Sequence, residues 1–205
     1  MSRGHNDFER LFIGVLFSII CSGLISLSHN IGVVGGKAIS EFSLYIMMFL
    51  LFGRENVVLP WSVRSVVLIF ASSMVIFLIW LMMNFPSYCG ESAVEFSRFE
   101  LVLGLITTCL TAPLFEEKVV RHFMLDGLIP RLGNWGGTLI VSVIFASAHW
   151  NNFLWAFAAS LVLCVLKIKF SMDTEKRAVV HGLVNFGIVF LSIRCSMGGG
   201  RSGFM

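Results

Sequence analysis

Residues 63–83 read VRSVVLIFASSMVIFLIWLMM, a mostly apolar run in which Arg64, near its start, is the one charged residue. About 20 apolar residues at ~1.5 Å rise per residue span the hydrocarbon core of a bilayer. An open sheet edge cannot face lipid, because no water is present there to satisfy its backbone. This stretch therefore predicts a transmembrane helix and an all-α membrane protein.

The composition of the whole chain agrees with that prediction. Of its 205 residues, 57% are hydrophobic and 13% are charged, and the mean hydropathy is +0.86. Soluble domains carry about 25% charged residues. The net charge is +3, but the basic residues lie in short loops between apolar runs, where they orient a membrane chain. We therefore expect a lipid bilayer, and no nucleic acid, as a partner.

The remaining apolar runs set the expected number of helices. A further stretch, residues 118–132, is amphipathic, and we expect a polytopic transmembrane bundle of about seven or eight helices. The five cysteines form no CxxC pair, so we expect small packing residues rather than disulfides or a metal cluster. The runs are residues 11–27, 42–52, 99–115, 138–150, 153–168 and 178–193.

Charged residues follow one of these runs directly, in the sequence FEEKVVRH of residues 115–122. An ionised side chain at the centre of a bilayer costs about 2.5–3.5 kcal/mol. Glu117 and Arg121 are four residues apart, so they meet on one helical face and offset part of this cost. Glu116 lies about 100° around the helix and needs a partner from another segment.

Two later apolar runs contain the polar residues that could meet these acids. His149 ends the sequence FASAH and shares a helical face with Phe145, and His181 shares a face with Asn185 in HGLVN. Each group alone also fits an interfacial helix end, a membrane anchor or a hydrogen bond between helices. Together they supply acids, imidazoles and an amide, which is the inventory of a hydrolytic site in a bundle core.

The three motifs EExxxR, FxxxH and HxxxN, in this order, resemble the CPBP family of CAAX-protease and bacteriocin-processing (Abi) intramembrane endopeptidases. The resemblance covers about residues 100–193. Two positions depart from the family pattern. His122 follows the arginine where glycine is usual, and MDTEKRAVVH of residues 172–181 is more charged and lacks a proline. We expect these departures to alter the substrate cleft, to which we also assign Phe145, more than the catalytic set.

The resemblance implies hydrolysis of a peptide bond by a water that a glutamate activates, without a covalent intermediate. The base is taken to be Glu116, because Arg121 already pairs with Glu117. His149 would hold the water or hydrogen-bond the base, and a His and an Asn would donate to the oxyanion. The predicted catalytic residues are Glu116, Glu117, Arg121, His149, His181 and Asn185.

Alternative functions remain open at this stage. His149, His181 and Glu116 could supply three zinc ligands, with water as the fourth. The chain lacks HExxH, however, and Asn185 suits an oxyanion better than zinc, so no cofactor is expected. A non-catalytic scaffold or immunity-type protein of the same fold, and a transporter that uses the acids as a proton relay, are the other function classes.

The resemblance also sets the expected organisation and location. Residues 1–98 would form N-terminal spans, residues 99–193 the catalytic core of the same bundle, and residues 194–205 a short flexible tail. The substrate would be a membrane-associated peptide or protein. The expected location is the cytoplasmic (inner) membrane of a prokaryote, in which the chain is a multi-pass protein.

One geometric difficulty accompanies this site. His149 closes one apolar run and His181 opens another, with a single run between them. Plain alternation of spans would place the two residues ~20 Å apart, near opposite faces of the membrane. They share a site only if the intervening helix is tilted, the helices extend beyond the apolar runs, or a segment is re-entrant.

Overall fold

The computed structural model describes residues 7–53, 60–88 and 97–198, and all secondary structure in these ranges is helical. Six helical elements follow one another, so the predicted seven or eight is too high, because three predicted segments join into one element. They are α1 Asp7–Asn30, α2 Gly36–Phe52, α3 Val63–Tyr88, α4 Arg98–Ala148, α5 Phe153–Phe170 and α6 Thr174–Gly198.

Five of these six helices are long and apolar enough to cross a membrane. The exception is α2, which has 17 residues. Large apolar side chains cover the outside of the bundle: Met82 is 84% exposed and Leu50 is 75% exposed. Arg121, Arg177 and Glu117, by contrast, are fully buried. Apolar residues outside and charged residues inside are the distribution of an integral membrane protein.

The helix α4 begins at a capping box. The Ser97 hydroxyl accepts a hydrogen bond from the Glu100 backbone N–H at 3.2 Å, and the Glu100 carboxylate accepts one from the Ser97 backbone N–H at 2.9 Å. Two donors at the helix N-terminus are thereby satisfied by the sequence S-x-x-E. The helix thus starts at Arg98, one residue before the predicted start of the core at residue 99.

The chain folds back on itself within α4, at Gly133. This residue has φ 69° and ψ 174°, a backbone conformation that side chains other than glycine rarely adopt. Arg121 and Phe145 each lie twelve residues from it, and the Arg121 guanidinium lies 4.6 Å from the centre of the Phe145 ring. Residues 98–132, the first arm, therefore pack antiparallel to residues 134–148, the second arm.

Two apolar cores hold the bundle together. One includes Phe17, Met48 and Phe123 and lies between α1, α2 and α4, and the other includes Ile76, Leu163 and Val180 and lies between α3, α5 and α6. Trp155 packs against both cores. The buried ion pair of Arg177 on α6 with Glu117 on α4 joins these two halves of the bundle.

The C-terminal helix and one cysteine differ from the sequence expectations. α6 continues to Gly198, so residues 194–198 of the predicted tail are helical, and residues 199–205 lie outside the described residues. Cys195 forms a disulfide bond, whereas Cys21, Cys109 and Cys164 are free. The expectation that no cysteine is bridged is therefore wrong for Cys195, because the lack of a CxxC pair does not exclude a disulfide bond.

Candidate active site

The two adjacent acids lie at a change of helix type in the first arm. Ala112–Glu116 is α-helical, and Glu117–Leu125 is π-helical. π-helical turns are rare and occur often at functional sites. The Glu116 side chain is 23% exposed, and Glu117 is fully buried. The first acid is thus accessible while its neighbour is enclosed by protein.

Basic side chains from two helices surround the Glu117 carboxylate. The Arg121 NH1 lies 3.1 Å from Oε1, which is the predicted i,i+4 contact. Arg177, on α6, donates its Nε–H to Oε2 at 3.3 Å. The His181 Nδ1 lies 3.5 Å from Oε1. Among the described residues, Oε1, the Arg121 NH1 and the His181 Nδ1 make no well-aligned hydrogen bond, so the contacts at Oε1 are close but loosely oriented.

The His181 ring lies between the two acids. Its Nδ1 faces Glu117, and its Nε2 lies 3.8 Å from the Oε2 of Glu116. The Phe145 ring contacts it edge to face, with ring centres 6.0 Å apart. Distances above ~3.2 Å are long for a hydrogen bond, but catalytic hydrogen bonds in unliganded sites are often long. The structure therefore brings the first and third motifs together.

His149 joins the same group from the end of the second arm. The helix stops at Ala148, and His149 adopts φ −116° and ψ 46°. Its Nδ1 lies 2.9 Å from the Phe145 carbonyl oxygen, and its ring centre is 4.5 Å from that of Phe145. Because a carbonyl only accepts, Nδ1 carries the proton in this contact and the lone pair is on Nε2. The ring is thus prepared to accept a hydrogen bond.

The predicted difficulty with the depth of the two histidines does not arise. α6 begins at Thr174, so His181 lies about 10 Å into the helix rather than at its start. The His149 ring turns back towards Phe145, and both imidazoles contact the Phe145 ring. Of the three possibilities left open, extension of the helices beyond the apolar runs is the one observed.

Asn185 contacts the first arm away from the acids. Its Nδ2 donates to the Thr108 carbonyl oxygen at 2.8 Å. Thr108 belongs to a π-helical turn, Thr107–Thr111. One turn earlier on α6, Gly182 lies against Cys109, and a Cβ built on Gly182 would lie 2.2 Å from the Cys109 carbonyl oxygen. His181 and Asn185, which were predicted to share a helical face, therefore both face the first arm across an unusually close helix contact.

A cavity of ≈ 500 Å³ opens beside Glu116 and His149, which both line it together with Phe145. Most of its remaining wall is aliphatic and comes from α1 and α4. Two charged residues of α2, Lys37 and Glu41, also line the cavity. A mostly apolar cavity with a few convergent polar groups is typical of a ligand or substrate site.

Glu41 and Ser160 belong to this region but were not predicted from the sequence. Glu41 is 3% exposed; its Oε2 accepts a hydrogen bond from the Thr111 hydroxyl at 3.1 Å, and its Oε1 lies 3.8 Å from the Lys37 ammonium. An acid inside the apolar sequence AISEFSLYI was a detectable signal. Ser160, which accepts a hydrogen bond from the Arg121 NH2 at 2.8 Å, carried no such signal, because serine is common in membrane helices.

The alternative prediction for this region is a zinc site formed by His149, His181 and Glu116. In the described ranges, no three His, Cys, Asp or Glu side chains are grouped so that they could hold a metal ion. The geometry therefore does not assemble His149, His181 and Glu116 as a zinc-binding set.

Comparison with known proteins bears on the part of the chain that carries the site. Neither the curated proteins nor the solved structures include a match to the chain. Among protein families, residues 98–187 match "Type II CAAX prenyl endopeptidase Rce1-like". The matched range begins at the first residue of α4 and includes all three motifs. Over this range the integral membrane protein is therefore similar to the Rce1-like family of CAAX endopeptidases, in agreement with the resemblance that the motifs indicated.

Proposed function

We propose that the chain is an intramembrane endopeptidase in which Glu116 activates the attacking water. The observation that carries this proposal is the shared position of Glu116 and His149 on one cavity wall, with the His181 Nε2 3.8 Å from the same carboxylate. An accessible acid, an imidazole with a lone pair and a second imidazole then converge on the place where a peptide could enter.

The reaction follows from these positions. The Glu116 carboxylate takes a proton from water, while His149 Nε2 accepts that water's second hydrogen and holds it in place. The hydroxide oxygen bonds to the scissile carbonyl carbon, and the carbonyl oxygen becomes an oxyanion. The proton held by Glu116 then passes to the amide nitrogen as the C–N bond breaks, giving a carboxylic acid and an amine.

The oxyanion would be stabilised by donors on α6. His181 would supply its Nε2–H when protonated there, and Asn185 carries a second N–H on Nδ2 besides the one given to Thr108. Glu117 would act through its contact with the His181 Nδ1. The family description supports a membrane-associated peptide or protein as substrate, and we place the enzyme in a prokaryotic cytoplasmic membrane, which fractionation of the source cells would check.

The test follows cleavage of a pooled membrane-peptide library in detergent by mass spectrometry. Glu116→Gln should abolish the products, and a zinc chelator should leave wild-type cleavage intact. The matched control is Glu100→Gln, which removes an exposed carboxylate from the same helix and keeps the capping box, since glutamine also serves there.

Unchanged cleavage by a folded Glu116→Gln protein would remove Glu116 from the mechanism. Loss of wild-type cleavage with the chelator, restored by added zinc, would replace the proposal with a metalloprotease. A wild-type protein that cleaves no member of a pool containing prenylated CAAX peptides would contradict the endopeptidase assignment and favour a scaffold of the same fold.

A further inference from the structure

We propose that Arg177 is a positioning residue of the active site, which acts by orienting the Glu117 carboxylate towards His181. The inference rests on the proposed function, because it assigns His181 a part in the reaction. Arg177 lies in the charged segment MDTEKRAVVH, where the sequence departs from the family pattern. None of the three motifs includes it.

Arg177 and His181 face different oxygens of the Glu117 carboxylate. Arg177 donates its Nε–H to Oε2. The other oxygen, Oε1, faces the His181 Nδ1 at 3.5 Å and the Arg121 NH1 at 3.1 Å, and neither contact is a well-aligned hydrogen bond. A carboxylate is planar, so fixing Oε2 also fixes the direction of Oε1. Arg177 therefore determines the direction of Oε1, the oxygen that faces the His181 Nδ1.

Arg177 is itself held in place by hydrogen bonds at the start of α6. Its NH1 donates to the Met172 carbonyl oxygen, and its NH2 donates to the Thr174 hydroxyl at 3.4 Å. These partners lie at the turn that precedes α6 and in its first residue. The guanidinium thus joins the turn between α5 and α6 to Glu117 on α4. A planar group with donors in a fixed fork can serve these sites together, which an ammonium cannot.

The position of Arg177 on α6 and its positive charge also suit it to this role. Arg177 and His181 are four residues apart on α6, so both face Glu117 from one side of that helix. Arg121 alone would balance one of the adjacent acids. With Arg177, two formal positive charges accompany Glu116 and Glu117, and both arginines are fully buried. Arg177 thus supplies, from α6, a second positive charge beside the two acids, in addition to that of Arg121 on α4.

The test compares Arg177→Met and Arg177→Lys with Lys176→Met. Lys176 is the neighbouring buried cation; it pairs with Asp173, three residues earlier, rather than with Glu117, so its loss controls for removal of a buried charge. We expect about a 100-fold fall in kcat for Arg177→Met with KM unchanged, as for a catalytic group displaced by about 1 Å. Arg177→Lys keeps the charge but not the fork and should lose about tenfold.

A spectroscopic readout separates positioning from stability. The chain has five histidines, so ¹H–¹⁵N spectra of ¹⁵N-histidine-labelled protein are tractable, and a His181→Gln sample assigns the signals of interest. Arg177→Met should shift the His181 ring-nitrogen signals, and Lys176→Met should leave them in place. A Glu117→Gln/Arg177→Met double variant should be no slower than Glu117→Gln alone, because Arg177 acts through that carboxylate.

The inference is overturned if Arg177→Met loses no more activity than Lys176→Met and leaves the His181 signals unmoved. Should Arg177→Met not be recovered folded, Arg177→Lys decides: wild-type kcat with unshifted signals would overturn the inference equally. A wild-type kcat in the Glu116→Gln protein would instead defeat the proposed function. Loss in Glu116→Gln with no effect of either Arg177 substitution would defeat only the role of Arg177.

Discussion

Replacing Gly182 with alanine tests the helix contact that holds the site together. The added Cβ would lie 2.2 Å from the Cys109 carbonyl oxygen, whereas ordinary van der Waals contact begins at 3.4 Å. The obstacle is backbone, which cannot rotate away as a side chain can. α6 and the first arm must therefore separate by about an ångström. Overpacking of this kind costs about 1–3 kcal/mol of stability.

The same displacement should reduce activity. His181 is the next residue towards the N-terminus of α6, and Asn185 is one turn away. A misplacement of about 1 Å at catalytic groups costs about 100-fold in rate, so we expect a loss of this order in kcat. The measurements are thermal unfolding in detergent and cleavage of a peptide identified from the pooled library.

The matched control is Gly104→Ala, on the same helical arm as Cys109. A Cβ on Gly104 meets no atom within 4 Å, and alanine in a helix is favoured over glycine by about 0.5–1 kcal/mol. The control should therefore be as active as the wild type and at least as stable. If Gly182→Ala behaves like Gly104→Ala in both assays, the close contact between these helices does not position the site.

Three further outcomes are expected. Asn185→Leu leaves the Thr108 carbonyl unsatisfied and removes an oxyanion donor, so cleavage should fall by about 10²–10³-fold while the protein still inserts, as measured by kcat and membrane fractionation. Ser160→Ala removes the acceptor of the Arg121 NH2 in a buried place and should lower the free energy of unfolding by about 1–3 kcal/mol, as measured by thermal unfolding. Glu41→Gln replaces a buried charge by a neutral amide of similar size, and should leave stability unchanged or raise it by about 1 kcal/mol, whereas a marked loss would contradict this reasoning.

The contacts that the sequence could predict are those between residues on one helix. Glu117 and Arg121 are four residues apart and lie 3.1 Å apart as an ion pair, and Phe145 and His149 have ring centres 4.5 Å apart. Helical geometry alone makes such neighbours. The apolar runs likewise predicted the all-α membrane bundle, because backbone satisfaction in lipid leaves few alternatives.

The contacts between helices could not be derived in this way. Arg177 meets Glu117 across 60 residues of chain, and nothing in helical periodicity indicates which buried cation reaches which acid. The predicted helix count is near the observed one but not equal to it, for a related reason. The apolar runs on either side of Gly133 form two antiparallel arms, but they belong to one continuous helical element, because Gly133 reverses the chain without the long polar loop that usually separates two spans.

The reversal at Gly133 makes the alignment of the two arms depend on the number of residues between the turn and each contacting side chain. Arg121 and Phe145 lie at equal distances from the turn, so they meet only while the two segments that join them to Gly133, residues 122–132 and 134–144, keep the same length. One residue inserted into a single arm would shift the facing positions by ~1.5 Å and turn them by about 100°, which would direct Phe145 and His149 away from the acids. An insertion in each arm, at matched distances from Gly133, would restore the register. Changes of length on the two sides of Gly133 must therefore match each other, whereas the total length of this part of the chain is free to vary.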